Sequence, residues 1–261
     1  MKYFGEIDFM GNIYVFVNQK GGVGKTTSAL NIGAFIAEAG KSVLLVDFDS
    51  QANLSSGFSV NSVKPGIYEL ISGQSPVEET IKKTAIPNLS IIPAGIDLSG
   101  AAVELIGQEE REFFLKKALD PIRKDYDYIF IDCPPSLGIL TLNGLIAANA
   151  VFIPMQCEYF ALEGLSLLLK TLKRIQKSLN PSLEIGGIFF TMYDSRTKLA
   201  QDVVKQVQVY FHNKIFSTII PRNVRLSESP SHGMPISQYD PNCIGAKAYK
   251  SLAEEVIKRG F

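Results

Sequence analysis

Short apolar runs alternate along the chain with longer segments in which apolar residues recur at helical spacing. The first run covers residues 13–17, and after a glycine-rich stretch Leu30, Ile32, Phe35 and Ile36 follow at the spacing of one helix face. Further apolar runs are found at 42–47, 89–93, 128–132, 150–154, 185–191 and 215–220, and helical segments at 67–71, 76–82, 111–124, 137–147, 162–176, 198–211 and 245–258.

Near-continuous apolar strands, each followed by a helix, indicate a parallel sheet that is covered on both faces. We therefore predict an α/β fold: a single-domain, doubly wound, mostly parallel sheet with helices on both faces. In such sheets ligands bind at the carboxyl ends of the strands. No repeat or linker divides the sequence, so we predict one domain over 1–261, with 1–11 as a short N-terminal extension.

Composition excludes several classes of protein. The 26 basic and 26 acidic residues cancel, so no overall charge favours a nucleic-acid or membrane partner, although residues 196–261 carry ten Lys/Arg against five Asp/Glu. The three cysteines are far apart and form no Cys-x-x-Cys, which fits a reducing compartment. No apolar run has membrane-spanning length, and the acidic N-terminus is unlike a signal peptide. We expect a cytoplasmic protein without stable membrane association.

The glycine-rich stretch between the first strand and the first helix has the context and residues of a phosphate-binding loop. Glycines let successive backbone N–H groups point at phosphate oxygens, and the helix N-terminus adds its positive end. Lys25 is expected to reach the β- and γ-phosphates, and the Thr26 hydroxyl to ligate Mg²⁺. The predicted nucleotide-binding residues here are Lys20, Gly21, Gly22, Val23, Gly24, Lys25, Thr26 and Thr27.

The loop departs from the common pattern at its start. Gln19 stands where a glycine is usual, five residues before Gly24, and a second lysine, Lys20, precedes the glycine pair. A tight glycine turn with surface lysines is the simpler interpretation of an isolated Gly-Gly. The strand before the loop and Lys25 and Thr26 after it favour the phosphate loop.

Three carboxylates follow apolar strands and are expected to lie beside this loop. Asp132 ends the run 128–132 and can hold Mg²⁺ through its water shell; the alternative is a turn or helix cap before Pro134. Asp47 and Asp49 are two residues apart and face the same way in an extended chain. Asp47 is suited to contact the metal through water, and Asp49 to orient an attacking water. The alternative for Asp49 is that it stabilises a turn beside Ser50.

With the phosphate loop and the three carboxylates at these positions, the sequence closely resembles the ParA/Soj DNA-partition ATPases of the deviant Walker-A (MinD/ParA) group. The resemblance extends from Ile13 to about Lys258. Its most specific stretches are KGGVGKTT at 20–27, DCPPS at 132–136, QCEYFALEG at 156–164 and IPRNVRLSE at 220–228.

The resemblance implies an ATP- and Mg²⁺-dependent ATPase with slow intrinsic turnover that forms a sandwich homodimer on binding ATP. In it, Lys20 crosses to the partner's nucleotide, where a cation stabilises transferring charge as an arginine finger does. Asp49 matches the water-positioning residue of the family. The implied catalytic residues are Lys20, Lys25 and Asp49, and the implied adenine-side segment is Pro221, Arg222 and Asn223.

The resemblance also implies partners. Dimers of the family bind DNA without sequence preference through basic residues that match Arg196 and Arg225. Such binding acts through phosphates and needs only a local patch, so the neutral total charge is no objection. From the residues alone, a salt bridge or a solvated side chain is the simpler interpretation of each arginine. A ParB/Spo0J-like centromere-binding protein is expected to stimulate hydrolysis and release from the nucleoid.

One stretch departs from the family pattern. The usual Asp-x-Asp-Pro-Gln-Gly-Asn has Ser50 in place of proline and Ala52 in place of glycine. Losing the proline frees the backbone, and losing the glycine restricts it. The carboxylates and Gln51 remain, so we expect hydrolysis to be retained, while the two changes leave its rate open.

The same superfamily includes proteins with other functions. A MinD-type division-site ATPase needs a basic amphipathic membrane helix at its C-terminus, whereas residues 245–258 have mixed charge and an aliphatic stripe typical of core packing. An iron–sulfur reductase would need cluster thiolates, for which Cys133 and Cys157 are the candidates. An ATP-dependent ligase or amidase would need a substrate pocket, and a non-enzymatic scaffold would bind DNA without ATP.

Overall fold

The computed structural model describes residues 11–60 and 63–260, so all of the predicted N-terminal extension except Gly11 lies outside the described residues. The strands are β1 (Asn12–Phe16), β2 (Val43–Asp47), β3 (Lys82–Lys83), β4 (Leu89–Ile92), β5 (Tyr128–Asp132), β6 (Ala150–Gln156) and β7 (Glu184–Thr191). The helices are α1 (Lys25–Glu38), α2 (Asn53–Ser56), α3 (Ile67–Ile71), α4 (Val77–Thr80), α5 (Leu98–Glu104), α6 (Phe114–Leu119), α7 (Ile139–Ala147), α8 (Ala161–Ser178), α9 (Lys198–Phe211), α10 (Arg225–Glu228), α11 (Ile236–Tyr239) and α12 (Ile244–Arg259).

The strands form one sheet in the order β3-β4-β2-β5-β1-β6-β7. Every neighbouring pair is parallel except β3 and β4 at one edge. Successive side chains of a strand point to opposite faces, and in β1 Ile13 and Val15 join one buried cluster while Tyr14 and Phe16 join the other. Both faces are therefore covered, and the predicted doubly wound α/β fold is confirmed.

The two covering layers contain different helices. Buried side chains of α6, α7, α8 and α9 belong to the cluster on one face of the sheet. Those of α1 and α12 belong to the cluster on the other face. Tyr249, Leu252, Ala253 and Val256 of α12 are each at most 2% exposed, so the predicted core packing of the C-terminal stripe is confirmed. No helix among the described residues is long and apolar enough to cross a bilayer.

The prediction of a strand at 215–220 is wrong. Isolated bridges join Ile215 to Ile188 and the adjoining Pro221 to Tyr193, and the N–H groups of Phe216 and Ile220 donate to the carbonyls of Ile188 and Phe190, but no continuous ladder forms. Amides that would continue the ladder are instead bound by a carboxylate of α12, since Glu255 accepts hydrogen bonds from the backbone N–H of Ser217 (2.8 Å) and of Thr218 (3.1 Å). The segment runs beside β7 without becoming an eighth strand.

Two helical predictions are too long. The segment 76–82 contains the four-residue α4 and then enters β3, and the segment 111–124 is α6 flanked by 3₁₀ turns at Arg111–Phe113 and Asp120–Asp125. The short elements α2, α5, α10, α11 and β3 were not predicted, because elements of two to seven residues carry too little periodicity.

The strand register places the candidate chemistry at one edge of the sheet. Strand β5 lies between β1 and β2, and Asp132 pairs in register with Phe16 on one side and with Asp47 on the other. The loop that follows β1 therefore begins beside two strand-terminal carboxylates. On its other side β1 pairs with β6, so the loop begins where the chain crosses between the two halves of the sheet.

Candidate functional site

The predicted phosphate loop joins β1 to α1 in a conformation that glycine makes possible. Gly22 (φ 72°) and Gly24 (φ 88°) have left-handed backbones, which favour residues without a Cβ. Within the described chain no side chain caps α1 at Gly24, so its first-turn amides are available to an anion. Asn18 shapes the entry by donating to the Pro154 carbonyl (2.8 Å) and accepting from the Lys20 N–H (3.0 Å).

Lys25, the first residue of α1, folds back over the loop. Its Nζ lies 3.4 Å from the Lys20 carbonyl oxygen, and the residue is only 7% exposed. Burial lowers the pKa of Lys25, and the carboxylates of Asp132 and Asp49 offset part of that effect. A desolvated cation inside a ring of backbone N–H groups is suited to hold phosphate oxygens.

Asp132 is fully buried, and among the described residues neither of its carboxylate oxygens has a hydrogen-bond partner. Burial, together with the neighbouring Asp47, raises the pKa of Asp132 well above its ordinary value. The nearby Thr26 hydroxyl and Lys25 offset part of this rise. An unpaired buried carboxylate is costly unless a cation or ordered water completes it. The structure thus places Asp132 and Thr26 together, as predicted for a magnesium site.

Asp47, also fully buried, is held by its own chain. Its Oδ2 accepts hydrogen bonds from the Ser55 N–H (2.8 Å) and the Ser55 hydroxyl (2.7 Å), and its Oδ1 accepts from the Asp49 N–H (3.3 Å). Burial raises the pKa of Asp47 to about 6, against these hydrogen bonds. The arrangement gives Asp47 a part in fixing the loop after β2, and its contact with a metal through water stays a prediction.

Asp49 lies in that loop, half-buried. One oxygen, Oδ1, accepts from the Gln51 N–H at 3.0 Å, so the turn that was the alternative interpretation is present. The turn leaves Oδ2 for another partner and does not exclude the orientation of water. Ala52, where the family has glycine, has φ 52°, so the restriction expected from the loss of that glycine is visible as a left-handed alanine.

The second loop lysine is half-exposed, unlike Lys25. Lys20 makes an ion pair with Glu158, which follows β6, and the two side chains are 48% and 44% exposed. Surface pairs of this kind contribute about 0–1 kcal/mol. Lys20 is therefore available to another partner at little cost.

A cavity of about 290 Å³ opens beside the start of α1. Its wall contains Gly24 and Thr27 of the phosphate-loop region, Thr191 and Met192 at the end of β7, and the predicted segment Pro221, Arg222 and Asn223. Tyr249 of α12 closes the back, where its hydroxyl lies 3.0 Å from the Ser28 hydroxyl. The structure thus joins the predicted adenine-side segment to the phosphate loop.

The two arginines predicted to bind DNA are both paired with carboxylates. Arg196 is 87% exposed and donates to both oxygens of Asp194, at 2.9 and 2.7 Å; these hydrogen bonds lower the pKa of Asp194 to about 2. Arg225 contacts Glu228 at 2.9 Å and Asp240 at 3.6 Å. The bridge between Tyr193 and Pro221 brings the two arginine-bearing segments together.

The residues fit ATP and Mg²⁺. The uncapped helix and Lys25 suit a triphosphate, the cavity suits a base, and the unpartnered Asp132 with Thr26 suits a cation. In the described chain no three His, Cys, Asp or Glu side chains cluster as metal ligands. Mg²⁺ is commonly held by one or two protein groups together with phosphates and water, so this arrangement is sufficient.

The candidate thiols are not arranged as cluster ligands. Cys133 is buried, and its Sγ faces Gly144 of α7 in the core. Burial raises the pKa of Cys133 well above its ordinary value and the pKa of Cys157 to about 11. Burial therefore favours the neutral form of both thiols when no metal is bound.

Several residues that shape the site were not predicted. Asn18 directs the loop, Thr191 fastens it by donating to the Val23 carbonyl (2.8 Å), Ser55 holds Asp47, and Glu158 holds Lys20. Asn18 directly follows the first apolar run, so its position in the sequence could have identified it as a residue of the loop. The other three act across distances in sequence that no local pattern reveals.

Known proteins resemble this chain over nearly its whole length. A family model described as an AAA domain matches residues 11–185. The chromosome-partitioning ATPase Soj of Treponema pallidum is 62% identical over 250 residues, which cover 96% of this chain and 98% of that protein. The chromosome partitioning protein ParA of Caulobacter vibrioides is 48% identical, with coverage of 95% and 94%.

Solved structures agree with the fold and with the ligands that fit the site. A protein of Mycobacterium smegmatis, described as cobyrinic acid a,c-diamide synthase, superposes with a TM-score of 0.84 at 35% identity, covering 96% of this chain and 95% of that one, with bound ADP and magnesium. The same protein has also been crystallised with an ATP analogue and magnesium, with a TM-score of 0.83.

Proposed function

The chain belongs to the Soj/ParA family of chromosome-partitioning ATPases, and from this premise we propose that it works as a dimeric switch on DNA. It is an ATPase that uses ATP and Mg²⁺. In the proposed cycle the ATP-bound homodimer binds DNA without sequence preference. A ParB/Spo0J-like partner then stimulates hydrolysis, and the subunits leave the nucleoid.

The observation that carries the proposal is the opposite placement of the two loop lysines. Lys25 is folded into the site of its own chain, and Lys20 lies half-exposed outside it. A half-exposed lysine whose partner is a surface carboxylate is free to serve the nucleotide of a second subunit, as an arginine finger does. Beside it, Tyr159 and Phe160 are 76% and 71% exposed, and such aromatic side chains are common where a subunit binds another.

Each residue of the site has a role in this proposal. The bound nucleotide and cation supply the transferable phosphoryl group and positive charge close to it. Lys25 and the first amides of α1 hold the phosphates, Thr26 and Asp132 hold the cation, and Asp49 orients water. Pro221, Arg222 and Asn223 bind the base. Since phosphoryl transfer depends on positioning, a shared site makes turnover depend on dimerisation.

DNA binding follows from basic residues that dimerisation brings into one patch, with Arg196 and Arg225 as its proposed members. Both are exposed, and Arg225 lies between Val224 and Leu226, which line the cavity, so its position can respond to the nucleotide. Their pairing with Asp194 and Glu228 must be exchanged for phosphate contacts, at a small cost for exposed pairs. Nucleoid association is then the consequence of the ATP-bound state.

The test is ATP hydrolysis and DNA binding measured together for wild type, Lys25→Ala and Asp49→Ala. Lys25→Ala is expected to lose nucleotide binding and, with it, DNA binding. Asp49→Ala is expected to bind ATP, to lose turnover by about 10²-fold or more, and to accumulate on DNA as a dimer. DNA binding by wild type without any nucleotide would contradict the switch, and unchanged turnover in Asp49→Ala would contradict the role of that residue.

A second candidate is an ATP-dependent amide ligase, because the structure at 35% identity is described as a diamide synthase. The higher identity to the Treponema Soj protein favours the partition function. A ligase requires an acid and a nitrogen donor for turnover. ATP hydrolysis that needs neither substrate and rises with DNA and a ParB-type protein would exclude it.

A further inference from the structure

Helix α8 presents a row of positive charge to solvent. Lys170, Lys173, Arg174 and Lys177 recur at the spacing i, i+3, i+4 and i+7, which places them on one face of the helix. All four are exposed. None makes an ion pair with a carboxylate in the part of the chain that the structure describes, although eleven such pairs occur there. We call these four residues the α8 stripe.

Helix stability does not explain the α8 stripe. Like charges three and four residues apart on a helix repel one another and destabilise it. The negative end of the helix dipole favours cations in the last turn, which accounts for Lys177 but not for Lys170, two turns earlier. The one carboxylate of α8, Glu163, lies in its first turn, away from these cations. The helix therefore keeps an unfavourable charge pattern that a bound anion would relieve.

We propose that the α8 stripe binds the phosphate backbone of double-stranded DNA. Its four cations span about 10 Å of helix, a length over which a DNA duplex carries about six negative charges. The proposal rests on the proposed function, in which the protein acts on DNA, and adds a contact surface separate from Arg196 and Arg225. Those arginines must first leave carboxylates, whereas the stripe is free of partners among the described residues.

A membrane surface fits the α8 stripe less well than DNA. A helix that lies in a bilayer interface inserts an apolar face between the lipids. The apolar face of α8, formed by Leu165, Leu168, Leu172 and Ile175, is buried against the sheet and at most 5% exposed. In the described part of α8, Leu167 is the large apolar residue that is exposed near the cations, with 47% of its surface accessible. The exposed face of α8 is therefore suited to bind an extended polyanion through charge alone.

The experiment compares the full-length protein with a variant that removes three charges, Lys170→Gln, Lys173→Gln and Arg174→Gln. The matched control removes three exposed cations from separate elements: Lys83→Gln on β3, Lys124→Gln in the turn after α6, and Lys258→Gln on α12. Binding to a labelled DNA duplex is measured by fluorescence anisotropy with Mg²⁺ and a non-hydrolysable ATP analogue, at four salt concentrations. ATP turnover without DNA and thermal unfolding show that each variant is folded.

The stripe variant is expected to bind DNA at least about tenfold more weakly at low salt, and its slope of log K against log[salt] to be smaller in magnitude by about 2 to 3. The scattered control is expected to keep wild-type affinity and slope. Wild-type affinity and slope in the stripe variant would overturn this proposal while leaving the dimeric switch intact. Absence of DNA binding by wild type would overturn both, and loss of binding to phosphatidylserine vesicles with DNA binding unchanged would assign the stripe to a membrane.

Discussion

At the scale of single residues, two residues of the site raise the free energy of the folded protein, and no other part of the described chain offsets them. Asp132 is a buried carboxylate whose oxygens have no partner among the described residues, and Ala52 holds a left-handed backbone with φ 52°. The cation that we propose Asp132 to hold would recover the first cost on binding. The second lies at the N-terminal end of α2, three residues after Asp49, and has no such compensation.

Replacing Ala52 by glycine is expected to stabilise the protein by about 0.5–1 kcal/mol, because glycine adopts this backbone without strain. The free energy of unfolding in urea is the measurement. Ala118→Gly in α6, at an ordinary helical position, is the matched control and is expected to destabilise by a similar amount. If both substitutions destabilise, strain at Ala52 is not the dominant effect.

Glu158→Gln is expected to favour the ATP-bound dimer, because Lys20 then has no carboxylate to leave in its own chain. Light scattering of the protein with Mg²⁺ and an ATP analogue gives the dimer dissociation constant, which should fall a few-fold. Stability should change by less than about 1 kcal/mol, as for other exposed pairs. Glu163→Gln, five residues further on, is the control with no ion pair to lose. A weaker dimer in Glu158→Gln alone would mean that this carboxylate serves the interface itself.

At the scale of elements, local pattern and tertiary contacts decided different parts of the structure. The six longer strands and the helix after the phosphate loop follow from apolar runs and glycines, since each is specified by neighbouring residues. The segment 215–220 has the same apolar character and runs beside β7, but its Ser217 and Thr218 amides bind Glu255, 38 residues beyond Ser217. Likewise, the loop motif identifies Lys25 and Thr26, whereas Ser55 and Glu158 become part of the site only through the fold. Contacts of this range leave no periodicity in the sequence.

The Glu255 contact makes a prediction about pH. Burial opposes the charged form of Glu255, but hydrogen bonds from Ser217, Thr218 and Arg259 outweigh it and lower the pKa of Glu255 below its ordinary value of 4.5. A lowered pKa contributes stability above the unfolded-state value, and this contribution is lost as the pH falls through the folded-state value. Glu255→Gln is therefore expected to destabilise by about 1–2 kcal/mol at pH 7 and by less as the pH falls below 4.5.

Urea unfolding at a series of pH values between neutral and acidic tests this prediction. Glu254→Gln, which changes the exposed neighbour on the same helix, is the control and should have little effect at any of these pH values. A difference between wild type and Glu255→Gln that stays constant on acidification would show that the charge of Glu255 is not what holds the segment.

At the scale of the whole molecule, the proposed active site is divided between two chains. Lys25, Thr26, Asp49 and Asp132 lie on one side of the nucleotide-binding edge and belong to one subunit. Lys20 is half-exposed and paired with Glu158, and in the proposed dimer it supplies the cation that completes the partner's site. This proposed division would make hydrolysis a property of the assembly.

Mixing two inactive variants tests the division. Lys20→Ala retains Asp49, and Asp49→Ala can still deliver Lys20 to its partner, so a mixed dimer contains one complete site. Random pairing of equal amounts is expected to restore about a quarter of wild-type turnover, because half of the dimers are mixed and each has one working site. Each variant alone should remain inactive. If the mixture is as inactive as its components, Lys20 acts within its own chain.

The hydrogen bond between Ser28 and Tyr249 joins residues 221 positions apart, and with it α12 forms the back wall of the nucleotide cavity. During synthesis the ribosome delivers the phosphate loop early and this wall among the last residues. A chain that lacks α12 therefore has the phosphate-loop region without this wall of the cavity, and α1 without the helix that packs on it. The cavity is complete only when residues from both ends of the sequence have come together.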